Sequence, residues 1–175
     1  MVQEMIIQII ALIIQAGLAM VLSAWTLYST IKVLDRMTSG IEEWEEIKKG
    51  NLAVGLFYAV VLVSMMVMVW PRIEEFIINV NLFAPIERTL LLLGLSFLNY
   101  LVNVVLSISI FYIAINLIDR LTVDMSEMQE LKRGNLAVAL IMSAILLGII
   151  FLVRIPIEHI FDIIKLVESN LIGSI

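Results

Sequence analysis

Four long apolar runs without a charged residue constrain this chain more than any other feature of its sequence. They cover residues 5–31, 52–70, 89–118 and 136–153, and none contains Asp, Glu, Lys, Arg or Pro. A helix needs about 20 apolar residues to cross the hydrocarbon core of a bilayer, where only intrahelical hydrogen bonds satisfy its backbone. The runs therefore predict an all-α, polytopic membrane protein with four transmembrane helices.

The composition excludes several other classes of protein. The chain is 62% hydrophobic and 15% charged, with a mean hydropathy of +1.07, whereas about a quarter of the residues in a soluble domain are charged. Its net charge of −5 offers no basic surface, so we expect no nucleic-acid partner. With no cysteine and with His159 as the single histidine, we expect no metal, haem or other cofactor.

The sequence contains an internal repeat with a shift of 84 positions and no gap. The shift places Asp35, Arg36 and Thr38 on Asp119, Arg120 and Thr122, and places the run Gly50, Asn51, Leu52, Ala53, Val54 on Gly134, Asn135, Leu136, Ala137, Val138. It also pairs Gln15 with Asn99, Ser23 with Ser107 and Tyr28 with Tyr112. We therefore predict two membrane repeats, residues 1–84 and residues 85–175, the second with an amphipathic C-terminal tail.

The orientation in the membrane follows from the basic residues. Each repeat holds two spans, so both repeats begin on the same side and are related by a pseudo-twofold axis along the membrane normal. Seven of the eleven Lys and Arg residues lie in the two loops inside the repeats: Lys32, Arg36, Lys48, Lys49, Arg120, Lys132 and Arg133. The positive-inside rule places these loops in the cytoplasm and both termini outside.

Each of these loops has the pattern of a short amphipathic helix at the interface. Gly50 and Gly134 stand where a glycine ends a helix, and Asn51 and Asn135 stand where a side chain caps the next one. The glycines could instead allow close helix approach. In the second loop, Asp124 and Glu127 have capping-box spacing. The amphipathic segments 73–80 and 157–164 either lie at the interface or extend the preceding span.

The loop pattern resembles that of prokaryotic membrane proteins grouped as domain of unknown function 350. It reads Leu or Ile, Asp, Arg, a hydrophobic residue and Thr, then acids, then a basic residue before Gly-Asn and an Ala-rich span, at 34–54 and again at 118–138. Ser39 and Val123 depart from the family pattern, in which proline often follows the threonine. The resemblance implies a four-helix membrane protein in two tandem copies. It implies no activity.

The repeated loop residues have two interpretations. Asp35, Arg36 and Thr38, with Asp119, Arg120 and Thr122, could form a twofold-related ring that contacts a ligand or ion. Alternatively, the arginines anchor the spans and the aspartates cap a turn or pair with Lys48 and Lys132, which is the usual role of charges at span ends. Asn51 and Asn135 could likewise line a polar pathway, but capping is the more common role.

Polar residues inside the first and third spans form the second candidate site. Gln15, Ser23 and Tyr28 in one span, and Asn99, Asn103, Ser107 and Tyr112 in the other, are costly against lipid, so we expect them to face inward or toward partner subunits. This face could line a narrow hydrated path, or it could join helices by hydrogen bonds. No full charge lies in the spans, which argues against a proton relay or an ion-coupled transporter.

We expect no enzymatic activity, because the sequence has no phosphate-binding glycine loop, no nucleophile with a plausible base and no cluster with metal-ligand spacing. Two other functions follow from these features. The first is a structural or accessory subunit that forms a homo-oligomer or packs in a larger membrane complex, surrounded by membrane lipid. It predicts stable oligomers and no conductance. The second is a small channel or carrier, in which Asn99→Leu or Gln15→Leu abolishes flux without disturbing assembly.

Overall fold

The structure is a computed structural model that describes residues 2–37, 43–121 and 126–172. These ranges form helices and no strand, and the helices are α1 (Val2–Met37), α2 (Glu43–Lys48), α3 (Leu52–Ile78), α4 (Ile86–Leu121), α5 (Glu127–Lys132) and α6 (Leu136–Ile172). The four long helices α1, α3, α4 and α6 are apolar and long enough to cross a membrane. The predicted all-α class with four candidate spans is therefore confirmed.

The long helices continue well past the apolar runs of the sequence. α1 and α4 have 36 residues each, a length of about 54 Å at 1.5 Å per residue. α3 continues through Pro71 and α6 through Pro156, so the amphipathic segments extend the preceding spans and are not separate helices. Ile73 and Phe161 are buried beyond those prolines. Each proline removes one backbone hydrogen bond, and these buried side chains pack the helix against the bundle beyond it.

The short helices α2 and α5 lie next to the starts of α3 and α6, at what we call the loop end of the bundle. The opposite end, formed by the turn at residues 79–85 and the last turns of α6, is called the distal end. α3 is central, because it packs against α1, α4 and α6. Val61, Met65, Val69, Tyr100 and Ile150 are fully buried in the core between these helices.

The two repeats pack unequally. In the most apolar stretch of α1 only 6% of the residues are buried, compared with 39% in its repeat mate α4. A groove of about 520 Å³ runs between Leu27 of α1 and Arg154 of α6, with α3 as its floor. α1 therefore lies at the side of the bundle, with one edge facing an open groove.

Candidate functional site

The repeated Gly-Asn element ends one helix and starts the next at the loop end. Gly50 and Gly134 have φ values of +81° and +79°, which favour glycine over any residue with a Cβ. The Gly50 and Asn51 amides donate to the carbonyls of Ile47 and Glu46, and the second repeat has the same pair of bonds. This is the Schellman pattern. The predicted glycine stops are confirmed at both positions.

Asn51 joins the two repeats as well as capping α3. Its Oδ1 accepts from the amides of Ala53 and Val54, at 3.1 and 3.3 Å. Its Nδ2 donates to the carbonyls of Leu131 and Lys132 at the end of α5, at 2.9 and 3.1 Å. These carbonyls lie in the last turn of α5, where the regular ladder of i to i+4 hydrogen bonds ends, and the Leu131 carbonyl also accepts from the Gly134 amide. Asn51 therefore stabilises the termini of two helices from different repeats.

Asn135 makes a weaker version of this arrangement. Its Oδ1 accepts from the Val138 amide at 3.4 Å, and its Nδ2 donates to the Glu130 carboxylate at 2.8 Å. The predicted capping role is confirmed for both asparagines. The predicted capping box at Asp124 and Glu127 is wrong, because Ser126 is the N-cap of α5 and Glu127 is its first residue. Sequence spacing alone could not place that helix start.

Two acidic side chains next to the asparagines have shifted pKa values. Hydrogen bonds from Lys49 and then Asn51 lower the pKa of Glu46, and hydrogen bonds from Asn135 and then Arg133 lower the pKa of Glu130. Each bond favours the carboxylate over the neutral acid. The two repeats therefore hold matching carboxylates in the charged form, each bonded to the asparagine that starts the next span.

The other repeated loop residues are described only in part, so the predicted ring stays a prediction. Asp35 Oδ1 accepts from the Tyr58 hydroxyl at 3.3 Å, while Arg36 and Arg120 are exposed. Thr38, Thr122 and the side chain of Asp119 lie outside the described residues. The geometry of the exposed arginines fits the anchor interpretation.

The intramembrane polar residues divide into three groups. Asn99, Asn103 and Ser107 are buried and follow one line along α4, with Ser107 Oγ donating to Asn103 Oδ1 at 3.3 Å. Gln15 and Ser23 are half-buried, and Gln15 Nε2 donates to the Val80 carbonyl at 3.2 Å. Tyr28 and Tyr112 are both 56% exposed, so they do not face the interior of the chain.

A buried hydrogen bond between α1 and α4 was not predicted from the sequence. The hydroxyls of Thr26 and Tyr100 lie 2.8 Å apart, and the Tyr100 hydroxyl donates to the Leu22 carbonyl at 2.9 Å. This network ties α1 to the bundle. The sequence shows that Thr26 is a polar residue in a span. It gives no local indication of a hydrogen-bond partner 74 positions away.

A charged cluster at the distal end was also not predicted. Arg72 is only 3% exposed, its Nη1 donates to Glu75 Oε2 at 2.5 Å, and its guanidinium lies 4.6 Å from the centre of the Phe161 ring. Lys165 Nζ lies 3.1 Å from the same Glu75 oxygen. The cluster joins α3 to the C-terminal part of α6. Its charged residues lie outside the charge-free runs, where charges usually anchor a span.

The face that α4 buries in the bundle is exposed in α1. Ser96 and Val104 of α4 are each 2% exposed, but their repeat mates Leu12 and Met20 are 63% and 69% exposed. Ala16, between them on the same helical face, is also exposed, whereas its mate Tyr100 is fully buried. We call Leu12, Ala16 and Met20 the open face of α1. Leu27 lies seven positions after Met20, so this face continues into the groove beside α6.

Comparison with known proteins gives one family. The family model described as Domain of Unknown Function (DUF350) matches the chain twice, at residues 3–87 and 89–175. The two matches fit two tandem copies and cover nearly the whole chain. No curated protein and no solved structure matches it.

Proposed function

The chain belongs to the family described as Domain of Unknown Function (DUF350), a description that assigns no activity. We propose from its geometry that it is a structural membrane subunit that associates with a second copy of itself. The observation that carries this proposal is the open face of α1. The equivalent face of the repeat mate α4 is buried in the bundle. The proposal assigns no catalytic reaction and no cofactor to the chain.

Small residues on and beside the open face permit close helix packing. Ala16 and its neighbours Gly17 and Ala24 are small and exposed, and a Cβ at Gly17 would meet nothing within 4 Å. In a bilayer, helices associate through close van der Waals packing, which small residues permit. The groove beside α1 is lined almost entirely by apolar side chains of α3. In the proposed dimer, α1 of each copy packs against the groove of the other copy, and this twofold contact buries both open faces.

Cross-linking of single cysteines tests this interface, because the natural chain has no cysteine. We expect Met20→Cys to form a disulfide-linked dimer in native membranes under mild oxidation. Val105→Cys on α4 is the matched control, since Val105 is 63% exposed but lies outside the proposed interface. Equal cross-linking of the two variants, or none of Met20→Cys, would contradict the proposal.

We further propose that the loop end faces the cytoplasm. Arg36, Lys49, Arg120 and Arg133 are all exposed there, and such residues orient spans by the positive-inside rule. A membrane-impermeant maleimide is expected to label Lys49→Cys only after the cells are opened and Leu82→Cys, in the distal turn, in intact cells. The reverse labelling pattern would place the loop end outside.

A small carrier is the second candidate, and one observation favours it. The Oγ atoms of Ser64 and Ser143 are buried in α3 and α6 with no hydrogen-bond partner among the described residues, and Asn99, Asn103 and Ser107 form a polar line in α4. Against this, the core around Val61 and Met65 holds a cavity of about 10 Å³, the least volume that admits one water. Flux that Asn103→Leu abolishes while Met20→Cys still cross-links would favour the carrier.

A further inference from the structure

A polar cavity opens at the distal end between three helices of the bundle. Its volume is about 290 Å³. α3 contributes Glu75, Ile78 and Asn79, α4 contributes Leu92, Leu95 and Ser96, and α6 contributes Lys165, Glu168 and Ser169. The cavity therefore has charged groups on one side and an apolar wall on the other.

The two α6 charges in this cavity point to different partners. Lys165 and Glu168 are three positions apart, a spacing at which opposite charges on a helix commonly pair. Here Lys165 Nζ lies 3.1 Å from Glu75 Oε2, and Glu168 Oε1 accepts from Asn99 Nδ2 at 3.2 Å. Among the ion pairs of the described residues, Lys165 has Glu75 and Glu168 has none.

This arrangement gives the cavity a positive and a negative pole. Arg72 and Lys165 share the single carboxylate of Glu75, so that group of three carries a net charge of +1. The partner of Glu168 is an uncharged amide, so none of the described ion pairs offsets its formal charge of −1. A carboxylate in this state has a second oxygen able to accept, and an ammonium such as that of Lys165 has further N–H groups able to donate.

We propose that this cavity binds a zwitterion in which a primary ammonium is joined by a short linker to a phosphate, the chemistry of phosphoethanolamine. The ammonium donates to Glu168, and the phosphate accepts from Lys165, both as charge-assisted hydrogen bonds. Side chains three apart on a helix have Cβ atoms about 5 to 6 Å apart, which suits a two-carbon linker. Ile78, Leu92 and Leu95 contact the apolar part of the ligand.

The depth of the cavity fits a lipid headgroup. Glu75 follows Leu52 by 23 positions, a rise of about 35 Å along α3, which is just beyond a hydrocarbon core of about 30 Å. The same chemistry exists in free phosphoethanolamine, so the two sources are separated by experiment. This proposal is independent of self-association through α1, which lies on another side of the bundle.

Native mass spectrometry of the detergent-purified chain tests the site. The probes are phosphatidylethanolamine, phosphatidylcholine of the same acyl chains, and free phosphoethanolamine as a competitor. We expect phosphatidylethanolamine to bind about tenfold more tightly than phosphatidylcholine, because a quaternary ammonium has no N–H for Glu168. Competition by free phosphoethanolamine identifies a soluble ligand for the same site, and its failure identifies the lipid as the ligand.

Variants of the two poles complete the test. Glu168→Gln and Lys165→Met are each expected to weaken phosphatidylethanolamine binding about tenfold. Glu158→Gln, which changes a carboxylate paired with Arg154 outside the cavity, is expected to leave binding unchanged. Equal binding of the two lipids by the natural chain, or equal binding by Glu168→Gln and Glu158→Gln, would overturn the proposal. The lipid comparison needs no variant and holds even if a substitution impairs folding.

Discussion

Glu75→Leu is expected to destabilise the bundle by about 3 to 5 kcal/mol, the usual cost of removing one partner of a buried ion pair. Arg72 is 3% exposed, and Glu75 is the carboxylate that neutralises it, at 2.5 Å. The Phe161 ring beneath the guanidinium attracts the charge but cannot neutralise it. The substitution therefore leaves a cation without a counter-ion in a site largely closed to water.

Glu158→Leu is the matched control for this prediction. Glu158 pairs with Arg154 at the same 2.5 Å distance, but these two side chains are 36% and 35% exposed. An exposed pair contributes about 0 to 1 kcal/mol, so this control should change stability little. The measurement is the free energy of unfolding of each purified variant in mixed micelles. Losses of equal size would show that the Arg72 site is as well solvated as the Arg154 site.

Asn51→Ala is expected to lower the free energy of unfolding by about 2 to 4 kcal/mol. Loss of an N-cap side chain costs about 1 kcal/mol, and each hydrogen bond to the Leu131 and Lys132 carbonyls adds about 0.5 to 1.5 kcal/mol. Asn135→Ala, at the same position of the second repeat, is expected to cost about 1 kcal/mol, because the described side-chain bonds of Asn135, to Val138 and Glu130, stay within its own repeat.

Unfolding of the two single variants under identical conditions measures this difference. A larger loss for Asn51→Ala would confirm that one asparagine holds the loop ends of both repeats together. If the two substitutions cost the same, the bonds from Asn51 to α5 contribute nothing beyond capping. Replacement of Asn51 by aspartate offers a further comparison, since aspartate keeps the cap acceptor and loses the donor to the two carbonyls.

The sequence was sufficient for the features that local physics determines. A run such as 52–70 must be a helix in hydrocarbon, because no other local structure satisfies its backbone there. The roles of Gly50 and Asn51 could be predicted for a similar reason. A residue with positive φ and the cap acceptor that follows it depend only on a few neighbouring positions of the sequence. The repeat then extended both conclusions to Gly134 and Asn135.

The sequence was not sufficient for features that depend on packing between distant segments. Gln15 and Asn99 are repeat mates, yet one bonds to the Val80 carbonyl and the other to Glu168. The open face of α1 could not be predicted, because repeat matching implies equal environments while the two repeats pack unequally. The burial of Arg72 could not be predicted, because it depends on Phe161, almost 90 positions away in the sequence.

The central claim is that a second copy covers the open face of α1, and subunit counting in a bilayer tests it most directly. Single-molecule photobleaching of the labelled chain in liposomes at low density is expected to show two steps per particle. Ala16→Phe should weaken the dimer at least about tenfold by overfilling the interface, while Val105→Phe on α4 should not. Single bleaching steps for the natural chain, or equal dimerisation of both variants, would contradict the account.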